Sequence, residues 1–217
     1  MIQAVIFDMD GLLIDSEPLW RQAEEGVLES IGVAFSEAAA RETTGMRTDE
    51  TVHYWYEHQP WKSVSEQEVA TRIDNAVLLL IQQEAVAKEG AYALIELCER
   101  LRLPMAIASS SSDEIIQAVT LKLGIDQKLQ FTYSASNEQF GKPDPAVYRT
   151  TARKFGVEPN QCLVFEDSMS GVQAAKAANM RCIAVPASEE RTDKRFDIAD
   201  LIVGSLSEVT ADTLQSF

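Results

Sequence analysis

Residues 3–11 of the chain read QAVIFDMDG, which is the pattern of a short buried strand followed by a turn. The apolar and β-branched run Gln3–Phe7 stops at Asp8 and Gly11, residues that favour turns. Its length and composition predict a strand buried on both faces. Two carboxylates, Asp8 and Asp10, therefore stand at the carboxyl end of the first predicted strand.

Further strand-like runs recur along the rest of the chain. They lie at Pro104–Ala108, Phe131–Ala135, Cys162–Phe165, Cys182–Val185 and, more weakly, Leu201–Val203. Amphipathic stretches between them predict helices at Ala91–Leu101, Asp113–Leu123, Ala146–Phe155 and Ser170–Ala178. Strands that alternate with helices of about 10–15 residues indicate βαβ crossovers. The predicted fold class is α/β, with a Rossmann-like parallel sheet covered by helices on both faces.

Residues 15–86 break this alternation, because they contain no convincing strand. Apolar residues recur there at helical spacing, as at Leu19 and Ala23, and the segment holds all three tryptophans. It is too long for a crossover and too regular for a loop. We predict that residues 15–86 form an inserted α-helical cap domain, and that residues 1–14 and 87–217 form the α/β core domain.

The composition narrows the class of protein. The 217 residues include 19 Lys+Arg and 34 Asp+Glu, a formal net charge of −15, which argues against nucleic acid or an anionic membrane as partner. No apolar run approaches the ~20 residues of a membrane span, and the first residues lack the pattern of a secretion signal. The three cysteines are typical of reduced thiols. We expect a cytoplasmic monomer that acts on a small molecule.

Polar side chains follow four of the predicted elements at one edge of the sheet. They are Asp8 and Asp10, Ser109 and Ser110, Lys142, and the pair Glu166 and Asp167. Each alone has a structural explanation in turn chemistry, helix capping, a solvated lysine or a helix dipole. Carboxyl ends of strands line the ligand crevice of open α/β sheets. Four carboxylates gathered there need a cation to offset their repulsion, and all-oxygen ligands suit Mg²⁺.

This set of side chains indicates phosphate chemistry. Magnesium held by one or two carboxylates accepts further oxygens from substrate phosphate. A lysine, a serine hydroxyl and backbone N–H groups of the Asp8–Gly11 turn would bind the remaining phosphoryl oxygens. Because His, Cys and Arg are absent from the set, a carboxylate is the candidate nucleophile besides water. The second carboxylate, two residues on, is suited to general acid and then general base catalysis.

Four separated motifs, in this order, resemble those of the haloacid dehalogenase-like (HAD) phosphohydrolases with a small helical cap. Residues 8–17 read DMDGLLIDSE, Ser109 and Lys142 fit the second and third motifs, and residues 166–175 read EDSMSGVQAA. Within the family, DSEPLW at residues 15–20 looks most like bacterial sugar-phosphate phosphatases of the hexitol phosphatase and 2-deoxyglucose-6-phosphate phosphatase type.

The resemblance implies a role for each motif residue. Asp8 would be the nucleophile and Asp10 the general acid and base. An Mg²⁺ ion, for which Mn²⁺ or Co²⁺ would substitute, would be bound by Asp8, Asp10 through its backbone carbonyl, and Asp167, with Glu166 beside it but not in direct contact. The phosphoryl group would be bound by Ser109, Ser110, Lys142 and the backbone of Met9. We also expect the carboxyl groups of Asp8, Asp10 and Asp167 to lie close enough to share one ion.

The cap is expected to set selectivity, because a lid supplies the contacts to the leaving group and excludes water. The candidates for these contacts are Glu17, Trp20, Met46 and Arg47. For Arg47 a solvated position on a helix is equally expected. The tryptophans are expected in the core of the cap, and His53 and His58 at the surface.

We expect a Mg²⁺-dependent phosphatase of small phosphomonoesters, such as 2-deoxyglucose 6-phosphate and hexose or hexitol phosphates, acting through an aspartyl phosphate on Asp8. The alternative is a sugar phosphomutase of the β-phosphoglucomutase type with the same intermediate. Such mutases carry a histidine near the position of Trp20. A phospho-accepting signalling domain and a dehalogenase are further alternatives, but neither has a use for Asp10.

Overall fold

The computed structural model describes residues 1–217 and contains one six-stranded sheet. The strands are β1 (Ala4–Phe7), β2 (Met105–Ser109), β3 (Phe131–Ser134), β4 (Cys162–Glu166), β5 (Arg181–Ala184) and β6 (Leu201–Ile202). All neighbours pair in parallel, in the order β3-β2-β1-β4-β5-β6. The predicted α/β fold with a parallel sheet is confirmed, and strand ends differ from the predicted ones by at most one residue.

Strand β1 lies inside the sheet, between β2 and β4, and every one of its side chains is apolar and fully buried. Val5 and Phe7 belong to an apolar cluster on one face of the sheet, and Ala4 and Ile6 to a cluster on the other. This alternation follows from the two-residue period of a strand. Burial on both faces explains the continuous apolar run in the sequence.

Five helices alternate with the strands or close the chain after them. They are α5 (Ala91–Arg100), α6 (Asp113–Leu123), α7 (Ala146–Phe155), α8 (Met169–Ala177) and α9 (Ala211–Gln215). Serine hydroxyls cap two of them: Ser112 accepts from the N–H of Ile115 at the start of α6, and Ser168 accepts from that of Gly171 at the start of α8.

Four helices precede α5, and no strand lies among them. They are α1 (Glu17–Ser30), α2 (Glu37–Glu42), α3 (Thr48–His58) and α4 (Glu66–Glu84). Helix α4 packs against α1 and α3, and also against α6 beside the sheet. As a result, Ile73 and Val77 of α4 belong to the same cluster of 40 buried residues as Val5 of the sheet. That residues 15–86 form a separate domain stays a prediction.

The remaining sequence expectations concern side chains at the surface and in the core. Trp55 and Trp61 are buried as expected, and His53 and His58 are exposed. All three cysteines are buried and unpaired. None of the helices has both the length and the apolar character that crossing a membrane requires.

Candidate active site

The parallel register brings the ends of β1, β2 and β4 together. Phe7 pairs with both Ile107 and Phe165, so the residues that follow, Asp8 and Glu166 in particular, stand side by side. The N–H of Asp8 donates to the carbonyl of Phe165 at 2.9 Å, which fixes the backbone at this point. The carboxyl edge of the sheet is therefore where the predicted site residues meet, as expected for a parallel sheet.

Lys142 joins these strand ends from a loop between β3 and α7. Its Nζ donates to Asp8 Oδ1 at 2.5 Å, to Glu166 Oε1 at 2.6 Å and to the carbonyl of Ala108 at 3.2 Å. All three ammonium hydrogens thus have acceptors, although the residue is only 2% exposed. Burial opposes the charge, but the carboxylates of Asp8 and Glu166 outweigh it and raise the pKa of Lys142, so the side chain stays cationic.

Glu166 is fully buried and accepts hydrogen bonds at both oxygens. Oε1 accepts from Lys142 and from the hydroxyl of Tyr148 at 2.5 Å, while Oε2 accepts from the N–H and the Oγ of Ser168 at 3.2 and 3.1 Å. Four protein donors therefore hold this carboxylate in place. Such an arrangement suits a group that orients its neighbours, and the indirect role of Glu166 beside a metal ion stays a prediction.

The oxygens that suit a metal ion come from Asp8, Glu166 and Asp167, which offer atoms within 4.8 Å of one another. Burial raises the pKa of Asp8 to about 8, with Glu166 and Asp10 adding to the effect and Lys142 opposing it. Burial, Asp8 and Glu166 raise the pKa of Asp167 well above its usual value. Two buried carboxyl groups and a half-buried one, with a single lysine, are short of positive charge, and hard oxygen donors fit Mg²⁺.

The turn after β1 is shaped to admit the Asp167 carboxylate. Gly11 has a φ of +74°, which L side chains rarely adopt. A Cβ at this position would lie 2.0 Å from Oδ2 of Asp167. Only glycine therefore allows the Asp8–Gly11 turn and the acidic group after β4 to approach each other this closely. Met9, within the turn, is buried and its carbonyl accepts from the N–H of Leu13 at 2.9 Å.

Asp10 differs from the expectation, because its carboxyl group is not part of the acidic set. Its Oδ1 accepts from Ser16 Oγ at 2.7 Å and Trp20 Nε1 at 2.9 Å, and its Oδ2 accepts from Ser111 Oγ at 2.7 Å and Ser109 Oγ at 3.4 Å. The Asp10 carboxylate is not in the group formed by Asp8, Glu166 and Asp167, whose oxygens lie within 4.8 Å of one another. That the backbone carbonyl of Asp10 binds the ion stays a prediction.

The serines after β2 contribute differently from one another. Ser109 bonds to Asp10 and accepts from the N–H of Ser111 at 3.1 Å. Ser110 donates to the carbonyl of Gly45, in the α2–α3 connection, at 2.7 Å. Ser16, Ser111 and Tyr148 are site residues that the sequence reasoning missed. The run of four serines was a signal for Ser111, whereas nothing in the sequence singled out Tyr148.

A cavity of about 60 Å³ separates this edge of the sheet from helices α1 to α3. Its core wall consists of Asp8, Asp10, Ser109, Ser110, Ser111, Asp167 and Ser168. Helix α1 lines the opposite side with Glu17, Trp20, Arg21 and Glu24, and the segment from Ala40 to Thr51 adds threonines, Gly45 and Met46. Three predicted leaving-group contacts, Glu17, Trp20 and Met46, thus face the cavity.

The position of Arg47 differs from both expectations, since its side chain is neither in the cavity wall nor solvated. Its Nη1 donates to the carbonyls of Glu138 at 3.0 Å and Ala135 at 3.4 Å, and its side chain is only 11% exposed. Glu50, its neighbour on α3, accepts from the N–H of Gly141 at 2.9 Å. The two side chains together hold the loop that carries Lys142.

Trp20 also departs from the expectation of a cap-core residue. It packs against the apolar cluster, but its Nε1 reaches Asp10 in the cavity. A tryptophan N–H is a donor only, so it orients the carboxylate without competing for a proton.

Comparison with known proteins gives concordant results. A model of the family described as haloacid dehalogenase-like hydrolase matches residues 2–179. Hexitol phosphatase B of Escherichia coli (strain K12) is 41% identical over 214 residues, which cover 98% of this chain and 96% of that protein. The crystal structure of CbbY from Rhodobacter sphaeroides in complex with phosphate has a TM-score of 0.90 at 26% identity, covering 99% of this chain and 100% of that one. A β-phosphoglucomutase from Clostridium difficile, at 23% identity, has the same fold with a TM-score of 0.87 over 100% of this chain and 96% of that one.

Proposed function

The chain belongs to the haloacid dehalogenase-like hydrolases, and from that membership we propose that it is a Mg²⁺-dependent phosphatase of small sugar and sugar-alcohol phosphates. One observation carries the proposal. Asp8, bridged to Glu166 by a buried lysine, lies beside Asp167, while Asp10 is held separately by neutral donors. Two aspartates two residues apart are thereby given different environments, which suits different roles.

Asp8 is the nucleophile in this proposal. Lys142 occupies Oδ1, and no protein group donates to Oδ2, which is left to attack phosphorus. The bond from phosphorus to the leaving oxygen breaks as the bond to Asp8 forms, giving an acyl phosphate. The charge of Lys142 favours the ionised carboxylate against the effect of burial. Ser109, Ser110 and the backbone of Met9 would bind the phosphoryl oxygens.

Asp10 acts as the proton carrier. It gives a proton to the leaving oxygen, then takes one from the water that attacks the acyl phosphate, which releases inorganic phosphate and restores Asp8. Ser16, Trp20 and Ser111 hold its carboxylate between α1 and the sheet edge. A fixed position matters because proton transfer requires hydrogen-bond distance to the reacting oxygen.

The residues present fit a magnesium ion, which Asp8, Asp167 and the carbonyl of Asp10 would hold. The ion would supply positive charge to phosphoryl oxygens at a site where carboxylates otherwise predominate. Glu166, saturated by four protein donors, would keep Lys142 and the Ser168 turn in position.

Hydrolysis is favoured over transfer back to the sugar. Mutases with a cap of this kind carry a histidine near the position of Trp20, whereas in this chain the indole N–H of Trp20 donates to Asp10. Family membership makes the chain an enzyme, so a signalling domain without turnover is excluded.

A screen of phosphate release tests the proposal. We expect Mg²⁺-dependent hydrolysis among hexitol, hexose, deoxyhexose and pentose phosphates, no release in the presence of a chelator, and none from Asp8→Asn, which is nearly isosteric but not nucleophilic. Activity that survives the chelator, or near-normal turnover by Asp8→Asn, contradicts the mechanism.

A further inference from the structure

Glu24 is a cavity residue to which the mechanism above gives no task. It lies on α1 one turn beyond Trp20, and the spacing of Glu17, Arg21 and Glu24 puts all three on one face of the helix. All three line the cavity, opposite the serines that follow β2. Because the proposed function places the phosphoryl group at the sheet edge, α1 would face the part of the substrate that leaves.

The carboxylate of Glu24 has no protein donor. The only cation nearby is Arg21, and its guanidinium pairs instead with Glu37 at 3.4 Å. Burial raises the pKa of Glu24 to about 8, with Glu17 adding to the effect and Arg21 opposing it. Glu24 is half-buried, and a partly desolvated carboxyl group without partners gains from a ligand that supplies hydrogen bonds.

The other charged groups that face the cavity are few. Helix α1 contributes Glu17 and Arg21, and the sheet edge contributes Asp8, Asp10 and Asp167. The α2–α3 segment presents only uncharged residues to the cavity, chiefly threonines. Arg21 is therefore the only cation in the wall, so an anion in the leaving group would meet mainly negative charge on the α1 side.

We propose that Glu24 determines specificity by accepting hydrogen bonds from hydroxyl groups of the leaving group and by rejecting leaving groups that carry a second anion. An ionised carboxylate is an acceptor only, so hydroxyl groups satisfy it and carboxylates or phosphates do not. The inference rests on the proposed function, because that function places the phosphoryl group at the sheet edge. The inference also specifies the chemical class of the substrate, which is phosphomonoesters with an uncharged, polyhydroxylated leaving group.

A matched pair of substrates tests this point. D-glucitol 6-phosphate and 6-phospho-D-gluconate share the same carbon chain and phosphate, and differ at C1 by a hydroxymethyl group against a carboxylate. We expect kcat/KM to favour the glucitol ester by at least about tenfold at pH 8.5, the order of effect of one nearby charge in a half-buried site. In Glu24→Gln, which keeps size and an acceptor but loses the charge, that ratio should fall by about tenfold.

Two controls separate this effect from a structural one. Glu29 is an exposed acidic residue on the same helix, and it does not line the cavity. Glu29→Gln should therefore leave the ratio of the two kcat/KM values within twofold of that of the unmodified protein. Glu24→Asp keeps the charge and should keep the preference. Without any variant, the ratio should rise from pH 6.5 to pH 8.5 as Glu24 ionises, since the phosphate titrates alike in both esters.

Three results would overturn the inference: equal hydrolysis of the two esters, an unchanged ratio in Glu24→Gln, or a ratio independent of pH. Hydrolysis of neither ester would do so as well. In that case p-nitrophenyl phosphate decides whether the phosphatase proposal falls too, because its hydrolysis with Mg²⁺ requires Asp8 and Asp10 but no hydroxyl groups.

Discussion

Lys142 is the residue on which the geometry of the site depends most directly. Its ammonium group lies between two buried carboxylates and also contacts the ring of Tyr148, whose centroid is 4.9 Å from Nζ. Buried ion pairs add little net stability compared with apolar packing, but removing one partner leaves the other charge unpaired. The lysine is therefore both a phosphate-binding candidate and the group that opposes the effect of burial on the pKa of Asp8.

Replacing this lysine should damage stability and activity together. We expect Lys142→Ala to lower the free energy of unfolding by about 3–5 kcal/mol, because Asp8 and Glu166 lose their shared cation. Urea denaturation and phosphate release measure the two effects. Lys62→Ala, at an exposed site without an ion pair, should change stability by no more than about 0.5 kcal/mol. A stable, active Lys142→Ala variant would refute the assignment.

Single residues also show which contacts of the site could be predicted from the sequence and which could not. Asp8, Ser109 and Glu166 were predictable because a parallel sheet collects its strand ends at one edge. Arg47 was not, since its acceptors are the backbone carbonyls of residues 88 and 91 positions away, which no side-chain pattern reveals. Glu24 could not be predicted for another reason. An acidic residue on an amphipathic helix is usually solvated, and only its position in the cavity wall distinguishes Glu24 from the exposed acidic residues of α1.

At the scale of elements, helix α8 begins where β4 ends, and the two approach closely. A Cβ on Gly171, in the first turn of α8, would lie 1.8 Å from Oε1 of Glu166 and 2.2 Å from its Oε2. The glycine lets the helix N-terminus close over this carboxylate. The positions of the main helices and strands were predictable from period and length, whereas this contact depends on how two of them dock.

A pair of glycine substitutions tests the importance of that contact. Alanine is the better helix former by about 1 kcal/mol, so Gly26→Ala in α1, where no atom lies within 4 Å of the added Cβ, should stabilise the protein by about 0.5–1 kcal/mol. Gly171→Ala should instead destabilise it by at least about 2 kcal/mol and reduce turnover, because Glu166 must move. Similar shifts in melting temperature for both variants would argue against a tight α8–β4 contact.

At the scale of the whole molecule, acidic residues outnumber basic ones, and several of the acidic residues line the cavity. Burial raises the pKa of Asp8 to about 8, of Glu24 to about 8 and of Glu17 to about 7. A carboxyl group that holds its proton in the folded state, but releases it near pH 4 when unfolded, stabilises the fold at low pH. Its contribution is lost as the pH rises toward 8.

The metal-free protein should therefore become less stable between pH 4 and pH 8, by a total on the order of 1–3 kcal/mol. Mg²⁺ should raise the melting temperature at pH 8 and have little effect at pH 5, because an ion prefers deprotonated ligands. Thermal melts at both values, with chelator or with Mg²⁺, measure this. Asp167→Asn should abolish the Mg²⁺ effect. A metal-free stability that increases toward pH 8 would contradict the assignment.

The hydrogen bonds between the start of α3 and the loop that carries Lys142 affect access to the site. Any motion that separates α3 from residues 135–141 breaks the hydrogen bonds of Arg47 and Glu50, each worth about 0.5–1.5 kcal/mol or more where charge is involved. The same motion would displace the loop that carries Lys142, whose ammonium group donates to Asp8. Admitting a new molecule by such a motion therefore costs contacts that position Lys142, so the lysine is fully in place beside Asp8 only when α3 lies against this loop.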